Sequence, residues 1–257
     1  MIRAAFFDVD GTLLSHTSHS VPSSTRKALA LLKEKGVKCV VATGRHMLEL
    51  SELPVHDISF DAYLTLNGQL CLDNQGNVIH DNPIVGSDKE KILQLFQDRQ
   101  MPVMLVEKDA MYINLIDPYV EAVQKAISTE LPALGVYTGG NIYQAIAFVP
   151  KGLEDAVANQ LTGCKVARWS DFAVDIISDT GGKTAGIQAY LTKNDLSVKG
   201  TIAFGDGEND IEMLEFVQIG VAMGNAPEAV KKHADHVTAS VDDNGIAEAL
   251  RKLNVID

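Results

Sequence analysis

A doubly wound α/β core interrupted by an α+β insertion is the fold class this sequence predicts, on three observations. Apolar runs of strand length alternate with amphipathic helical patterns toward both ends of the 257-residue chain, which is the pattern of βαβ units. Between residues 83 and 182 the alternation breaks, and strand patterns fall next to one another. Acidic residues gather where two strands end, Asp8 with Asp10 and Asp206 with Asp210, and the carboxyl edge of an open parallel sheet is where such folds bind ligands.

Ile2 to Phe7 is apolar apart from Arg3, the pattern of a strand covered on both faces, and Gly11 lets the chain leave it sharply. Ser23-Ser24 can cap a helix that carries Ala28, Leu29, Leu31 and Leu32 on one side and closes at Gly36, before a second buried strand from Val37 to Ala42. A third strand, Asp61 to Leu66, ends at Asn67-Gly68, and residues 69–73 and 77–81 read as a hairpin around Asn74-Gln75-Gly76. The insertion reads as a helix at 88–99, a hairpin of 102–106 with 111–115, a helix at 117–130, a strand at 142–149, a helix at 151–160 and two strands within 164–177. From Lys183 the alternation returns: helix to Leu191, strand 200–204, helix 208–215, strand 217–222, helix 227–233 and a last helix at 243–253. Residues 1–82 and 183–257 are thus expected to form one core, with 83–182 inserted as a second domain whose two crossings act as a hinge.

Composition narrows the function classes. The net charge is −12 and no basic block exceeds Lys231-Lys232, which argues against a nucleic-acid phosphate backbone as partner. Cys39, Cys71 and Cys164 are odd in number and lack CxxC spacing, so no disulfide framework is expected and a reducing cytoplasm fits. The N-terminal run meets Asp8 almost at once and no apolar run approaches membrane-spanning length, so neither a signal peptide nor a membrane partner is expected.

If strand geometry persists through Asp10, period-2 alternation aims Asp8 and Asp10 to one side. One carboxylate can then attack while the other handles protons, as phosphoryl transfer requires. Gly205-Asp206-Gly207-Glu208-Asn209-Asp210 follows the apolar strand Thr201 to Phe204 directly. Four clustered acids would repel one another and raise their pKa values unless a cation sat among them, and hard oxygen ligands suit Mg²⁺. Ala42-Thr43-Gly44-Arg45, also after a strand, and Lys183 at a helix start would supply a hydroxyl, backbone N–H groups and an ammonium to phosphate oxygens.

On these four segments the chain resembles the haloacid dehalogenase (HAD) superfamily nearly end to end, and within it the Cof-type sugar-phosphatase branch, subclass IIB. The resemblance implies a Rossmann-like core with an inserted C2B-type cap that sets substrate specificity. Carried over position by position, it implies Asp8 as the nucleophile that forms an aspartyl-phosphate, Asp10 as the acid/base and Lys183 as the charge-stabilising lysine. Thr43, Gly44, Arg45, Lys183 and Asn209 become the phosphate-binding set. Asp8, Asp10, Asp206 and Asp210 become the Mg²⁺ set, Asp10 through its backbone carbonyl and Asp210 through water or from just outside the ligands. The implied function is a Mg²⁺-dependent phosphatase of small phosphorylated metabolites, sugar phosphates first, with pyridoxal phosphate and flavin mononucleotide as further candidates. A phosphomutase and a non-catalytic sensor of a phosphorylated ligand are the alternatives. Phosphate-monoester hydrolysis needs many contributing groups, because acceleration can approach ~10²¹-fold, roughly 28 kcal/mol.

One departure stands out: Gly181-Gly182 precedes Lys183, where this branch commonly carries Asn. Competing motif readings fail on spacing. A calcium loop starting at Asp8 would put His19 where a bidentate Glu is required, and a P-loop ending at Gly182-Lys183-Thr184 would start on Ile177 instead of glycine. His16 with His19 and His233 with His236 read as solvated polar residues, and Cys39 and Cys71 as small buried hydrophobes.

Overall fold

A computed structural model describes residues 1–127 and 129–257, and its chain contacts divide it into two units, Met1–Asp81 with Gly182–Asp257 and Asn82–Gly181. In chain order the first unit starts with β1 (Ala4–Phe7), α1 (Ser23–Glu34), β2 (Lys38–Ala42), α2 (Met47–Glu52), β3 (Ala62–Thr65), β4 (Leu70–Asp73) and β5 (Val78–Asp81). The second unit holds α3 (Gly86–Asp98), β6 (Val103–Val106), β7 (Met111–Ile113), α4 (Pro118–Ala126), β8 (Gln144–Ala147), α5 (Asp155–Ala158), β9 (Cys164–Ser170) and β10 (Ala173–Ser178). The first unit then resumes with α6 (Lys183–Lys193), β11 (Thr201–Gly205), α7 (Ile211–Phe216), β12 (Ile219–Ala222), α8 (Glu228–Lys231), β13 (His236–Val237) and α9 (Gly245–Lys252).

The sheet of the first unit runs β13-β12-β11-β1-β2-β3-β4-β5. It is parallel from β13 to β3 and ends in the antiparallel pairs β3–β4 and β4–β5. Both faces are covered, and β1 shows why its sequence reads as an unbroken apolar run. Ala5 and Phe7 enter the cluster formed with α1 and α9, while Ala4 and Phe6 enter the cluster formed with α6 and α7. Phe7 stacks on Phe204 of β11 at 5.3 Å between ring centroids, and Phe6 meets Tyr190 of α6 edge-on at 6.0 Å. Full burial of each such ring contributes roughly 1.5–3 kcal/mol. From β1 the winding proceeds one way through β2 and β3 and the other way through β11, β12 and β13. The carboxyl ends of β1 and β11 therefore flank the reversal point, where doubly wound sheets open a crevice.

The second unit is a five-stranded antiparallel sheet, β7-β6-β8-β10-β9. Ile92 and Phe96 of α3 and Val157 of α5 pack on Leu105, Ala145, Ala147, Val174 and Ile176 of its strands. Asn114 stitches the β7 end inward, accepting the Val103 N–H at 2.8 Å and donating to the carbonyls of Phe96 and Met101.

Several element boundaries differ from expectation. The helix expected at 151–160 shrinks to α5, because Gly152 takes φ +91° and the chain turns from Pro150 to Leu153 first. The helix expected at 117–130 is α4, which starts on an Asp117 cap with Pro118 in its first turn and ends at Ala126; residue 128 in that expected span lies outside the described residues. The helix expected at 208–215 starts as a 3₁₀ turn, Glu208–Asp210, before α7. The short α2 and the two-residue edge strand β13 carry too few residues for a period to show.

Candidate active site

Every sequence-predicted site residue lies in the first unit, and all lie in the loops at the carboxyl ends of its parallel strands or at the helix starts that face them. Asp8 extends β1 by one ladder bond, its N–H donating to the Phe204 carbonyl at 3.0 Å. Lys183, at the start of α6, is buried and donates through Nζ to Asp8 Oδ1 at 2.7 Å and to Asp210 Oδ1 at 2.6 Å. The other Asp210 oxygen accepts the backbone N–H groups of Asp206 and Gly207, both at 2.9 Å. This bond pair folds the Gly205–Asp210 loop back on itself and carries Asp206 toward Asp8. Carboxylate oxygens of Asp8, Asp206 and Asp210 all come within 4.8 Å of one another.

The electrostatics of this cluster are unbalanced. Burial, then repulsion by Asp210, drives the Asp8 carboxyl well above its usual range, and Lys183 only partly opposes this. Burial and Asp210 likewise push Asp206 up to about 6, against a hydrogen bond from Thr12. Burial works against the Lys183 ammonium, but Asp210 and Asp8 overcome it, so the lysine is raised and stays charged. Three carboxylates around one ammonium leave an excess of negative charge. The donor set fits a hard divalent cation: oxygen atoms only, converging, and short of positive charge. Among the described residues it is the single acidic, histidine or cysteine group with such convergence.

Asp10 departs from the expected four-acid cluster, because its carboxylate is held elsewhere. Arg45 grips it in a two-point pair, Nε to Oδ2 at 2.6 Å and Nη2 to Oδ1 at 2.8 Å. The physical reason lies in the β2 loop: Thr43 Oγ1 accepts the Arg45 N–H at 3.1 Å, and His46 with Glu49 forms the capping box that starts α2. Arg45 is thereby placed one residue before the His46 cap, with its side chain on Asp10 in the loop after β1. Capping falls to His46, and Arg45 is an acid partner.

Thr43 is buried, and its carbonyl accepts the N–H of Asn67 at 2.9 Å. A Cβ on Gly44 would lie 3.3 Å from the Asn67 amide, and Asn209 Nδ2 donates to Asn67 Oδ1 at 3.0 Å. The Thr43-Gly44 loop, Asn67 and Asn209 thus converge on one side of the crevice. Gly182 also finds its reason here. Its φ of +124° is one that side chains adopt poorly, and a Cβ on neighbouring Gly68 would strike the Gly182 carbonyl. Backbone conformation, rather than an asparagine side chain, delivers Lys183 into the site.

Sequence reasoning places Thr12 and Asn225 within segments that match the family's pattern but gives neither a role. Thr12 Oγ1 donates to Asp206 Oδ1 at 3.3 Å, and Asn225 Nδ2 donates to Asp206 Oδ2 at 2.9 Å. The available signals were the Thr after Asp10-Gly11 and the Gly224-Asn225 pair just past an apolar strand, neither of which reveals a partner.

A buried aspartate at a strand end, a lysine bridging it to a second acid and a third acid alongside, on a doubly wound sheet, make an arrangement chemically suited to phosphoryl transfer. Comparison with known proteins gives the family. A family model described as haloacid dehalogenase-like hydrolase matches residues 5–250. The Bacillus subtilis (strain 168) protein YkrA is 32% identical over 258 residues, spanning 99% of this chain and 98% of its own. Among solved structures, BT1666 from Bacteroides thetaiotaomicron, described among the phosphatases of the HAD superfamily, superposes with a TM-score of 0.91 at 32% identity, covering 100% of this chain and 96% of the other. The HAD subclass IIB sugar phosphatase BT4131 gives 0.86 at 31% identity, covering 99% and 100%. The chain belongs to the haloacid dehalogenase-like hydrolase family, and within it to the phosphoric monoester hydrolases.

Proposed function

We propose that this enzyme is a Mg²⁺-dependent phosphatase of small phosphorylated metabolites, sugar phosphates foremost, that works through an aspartyl-phosphate on Asp8. The observation that carries the reading is the Asp8–Lys183–Asp210 bridge beside Asp206. Lys183 occupies one oxygen of Asp8 and leaves the other to attack phosphorus, while its charge opposes the repulsion between the carboxylate and an incoming phosphate dianion.

In this reading the Asp8 oxygen bonds to phosphorus as the bond to the leaving alkoxide breaks, and Asp10, which must be protonated at the outset of this half-reaction, gives that alkoxide its proton. Asp10 then takes a proton from water, whose oxygen attacks the same phosphorus and breaks the bond to Asp8, restoring the carboxylate and releasing inorganic phosphate. Asp10 must leave Arg45 to do either, and a phosphoryl oxygen is a suitable second partner for the guanidinium. Thr43, Gly44 and Asn209 line the phosphate position. Asp8 and Asp206 with the Asp10 carbonyl would hold Mg²⁺, with Asp210 supporting it through water or from just outside the ligands, and the ion would supply further charge neutralisation on the transferring group. Sugar phosphates lead because BT4131 is named a sugar phosphatase. The buried, free Cys39 and Cys71 and the lack, among the described residues, of a helix long and apolar enough to cross a membrane support placing the enzyme in the cytoplasm.

The test is phosphate release from a panel of sugar phosphates, pyridoxal phosphate, flavin mononucleotide and an aryl phosphate, with Mg²⁺ and with chelator. Turnover that stops with chelator and favours a sugar phosphate is the expected result. Phosphate release that continues in chelator would overturn the metal assignment, and no release from any ester would overturn the phosphatase reading.

A further inference from the structure

The amide of Asn225 joins three loops that the proposed mechanism leaves unconnected. Its Nδ2 donates to the Gly11 carbonyl and to Asp206 Oδ2, both at 2.9 Å, and its Oδ1 accepts the Val241 N–H at 3.0 Å. Both amide hydrogens are used, and the carbonyl has its donor. From the opposite side Thr12, fully buried, donates to Asp206 Oδ1 at 3.3 Å. Each oxygen of Asp206 is therefore held by one neutral donor, which fixes the plane of the carboxylate and leaves lone-pair capacity on both oxygens for a cation. Gly11 completes the grip: at φ +76° it has no side chain, and a Cβ there would overlap the Asp206 carboxylate.

Neutral donors are informative in such a place. A lysine or arginine would orient Asp206 equally well but would cancel the charge that a divalent cation needs, whereas an amide and a hydroxyl orient without neutralising. The third bond, to Val241, continues outward. Next to Val241, Asp242 accepts from Ser15 and Thr17 of the loop after β1, so the same segment that fixes Asn225 also ties down the chain leaving Asp10.

We infer that Asn225, assisted by Thr12, is a positioning residue that aims the Asp206 carboxylate at a divalent cation and couples it to the 238–245 loop. This rests on the reading of Asp206 as a cation ligand. Partners that hold a ligating side chain typically account for about 10–100-fold of metal affinity. Asn225 is exposed, so water can replace its amide in a variant without orphaning a buried group.

The experiment is calorimetric titration of Mg²⁺ into metal-free wild type, Asn225→Ala and Thr12→Val, each checked for fold by circular dichroism. Asn225→Ala is expected to weaken Mg²⁺ binding about 10–100-fold, and Thr12→Val, nearly isosteric, to weaken it less but in the same direction. In assays with an aryl phosphate, the Mg²⁺ concentration for half-maximal rate should rise by the same factor, with kcat recovering at saturating Mg²⁺; a merely structural clamp would lower kcat at every Mg²⁺ concentration. Folded Asn225→Ala with wild-type affinity overturns the inference. Should Asn225→Ala not fold, unchanged affinity in Thr12→Val overturns it instead. Absence of Mg²⁺ binding to wild type would overturn the metal reading beneath it, a result distinguishable from equal binding by all three proteins.

Discussion

Asp8 in the first unit and Asp88 in the second are the same residue type at nearly the same exposure, 6% and 5%, yet their surroundings push them in opposite directions. Burial raises both. Around Asp88 the backbone N–H groups of Gly163 and Thr162 and the nearby Lys91 outweigh it, and the carboxyl ends below its usual range. Around Asp8 burial is joined by the repulsion of Asp210, Lys183 offsets only part, and the carboxyl ends far above its range. The difference separates a structural acid from a reactive one. Asp88 is complete within its own unit, whereas ionised Asp8 is held at a cost that a proton or a further cation relieves.

The comparison breaks most directly at Asp8 itself. Asp8→Asn should lower phosphate release by ~10⁴-fold or more without lowering metal-free stability, since it replaces a carboxyl whose ionisation burial opposes. A Tm that falls sharply, or turnover that survives, would place Asp8 with Asp88 as a structural acid. Next in size is Lys183→Met, which leaves Asp8 and Asp210 buried with no cation between them and should cost roughly 3–5 kcal/mol in denaturant unfolding, part of it recovered with Mg²⁺. A cost near zero would mean that the lysine does not hold the acids together. Asp88→Ala should cost about 1–3 kcal/mol by orphaning the Thr162 and Gly163 amides, with Mg²⁺ affinity unchanged; a loss of metal binding there would erase the distinction between the units.

The smallest effect is a difference in pH slope. Asp206 has a folded-state pKa raised to about 6, so its contribution to metal-free stability is full below an unfolded value of about 4 and is lost as pH rises through 6. Glu154 in the second unit is the reverse: hydrogen bonding from Arg168 holds it at about 2, so its contribution is present above an unfolded value of roughly 4.3 and is lost as pH falls toward 2. Unfolding curves across pH in chelator should show both slopes. Mg²⁺ should flatten the first and leave the second, and a first slope that Mg²⁺ does not touch would remove Asp206 from the cation site.

Much of the first unit was legible because its physics is local. β1, β2 and β11 are buried on both faces, so their residues are apolar without a break, and the acids stand where the apolar runs stop. The strand end at Asn67-Gly68 was legible, but the backbone of Leu66 was not. Leu66 and Asn67 take positive φ values of 52° and 54°, and for leucine such a backbone is imposed by neighbours rather than preferred. The Arg45–Asp10 pair was hidden for a related reason: 35 residues separate its partners, and only the packing of β2 against β1 brings them together. In the second unit, α5 was overestimated because apolar spacing from 151 to 160 resembles a helix, while Gly152 at φ +91° decides where it can begin.

The position of β1 has a consequence for how the chain is made. β1 pairs with β2, 34 residues later, but its other neighbour, β11, is translated only after the whole second unit has emerged. For about 195 residues of synthesis one edge of a fully buried strand stays open, a condition that favours wrong strand pairing. The second unit, self-contained in sequence, can meanwhile fold on the ribosome. The arrival of β11 then covers the open edge of β1 and brings in Asp206 and Asp210 together, so on this order of events the closing of that edge and the assembly of the acidic cluster are one event.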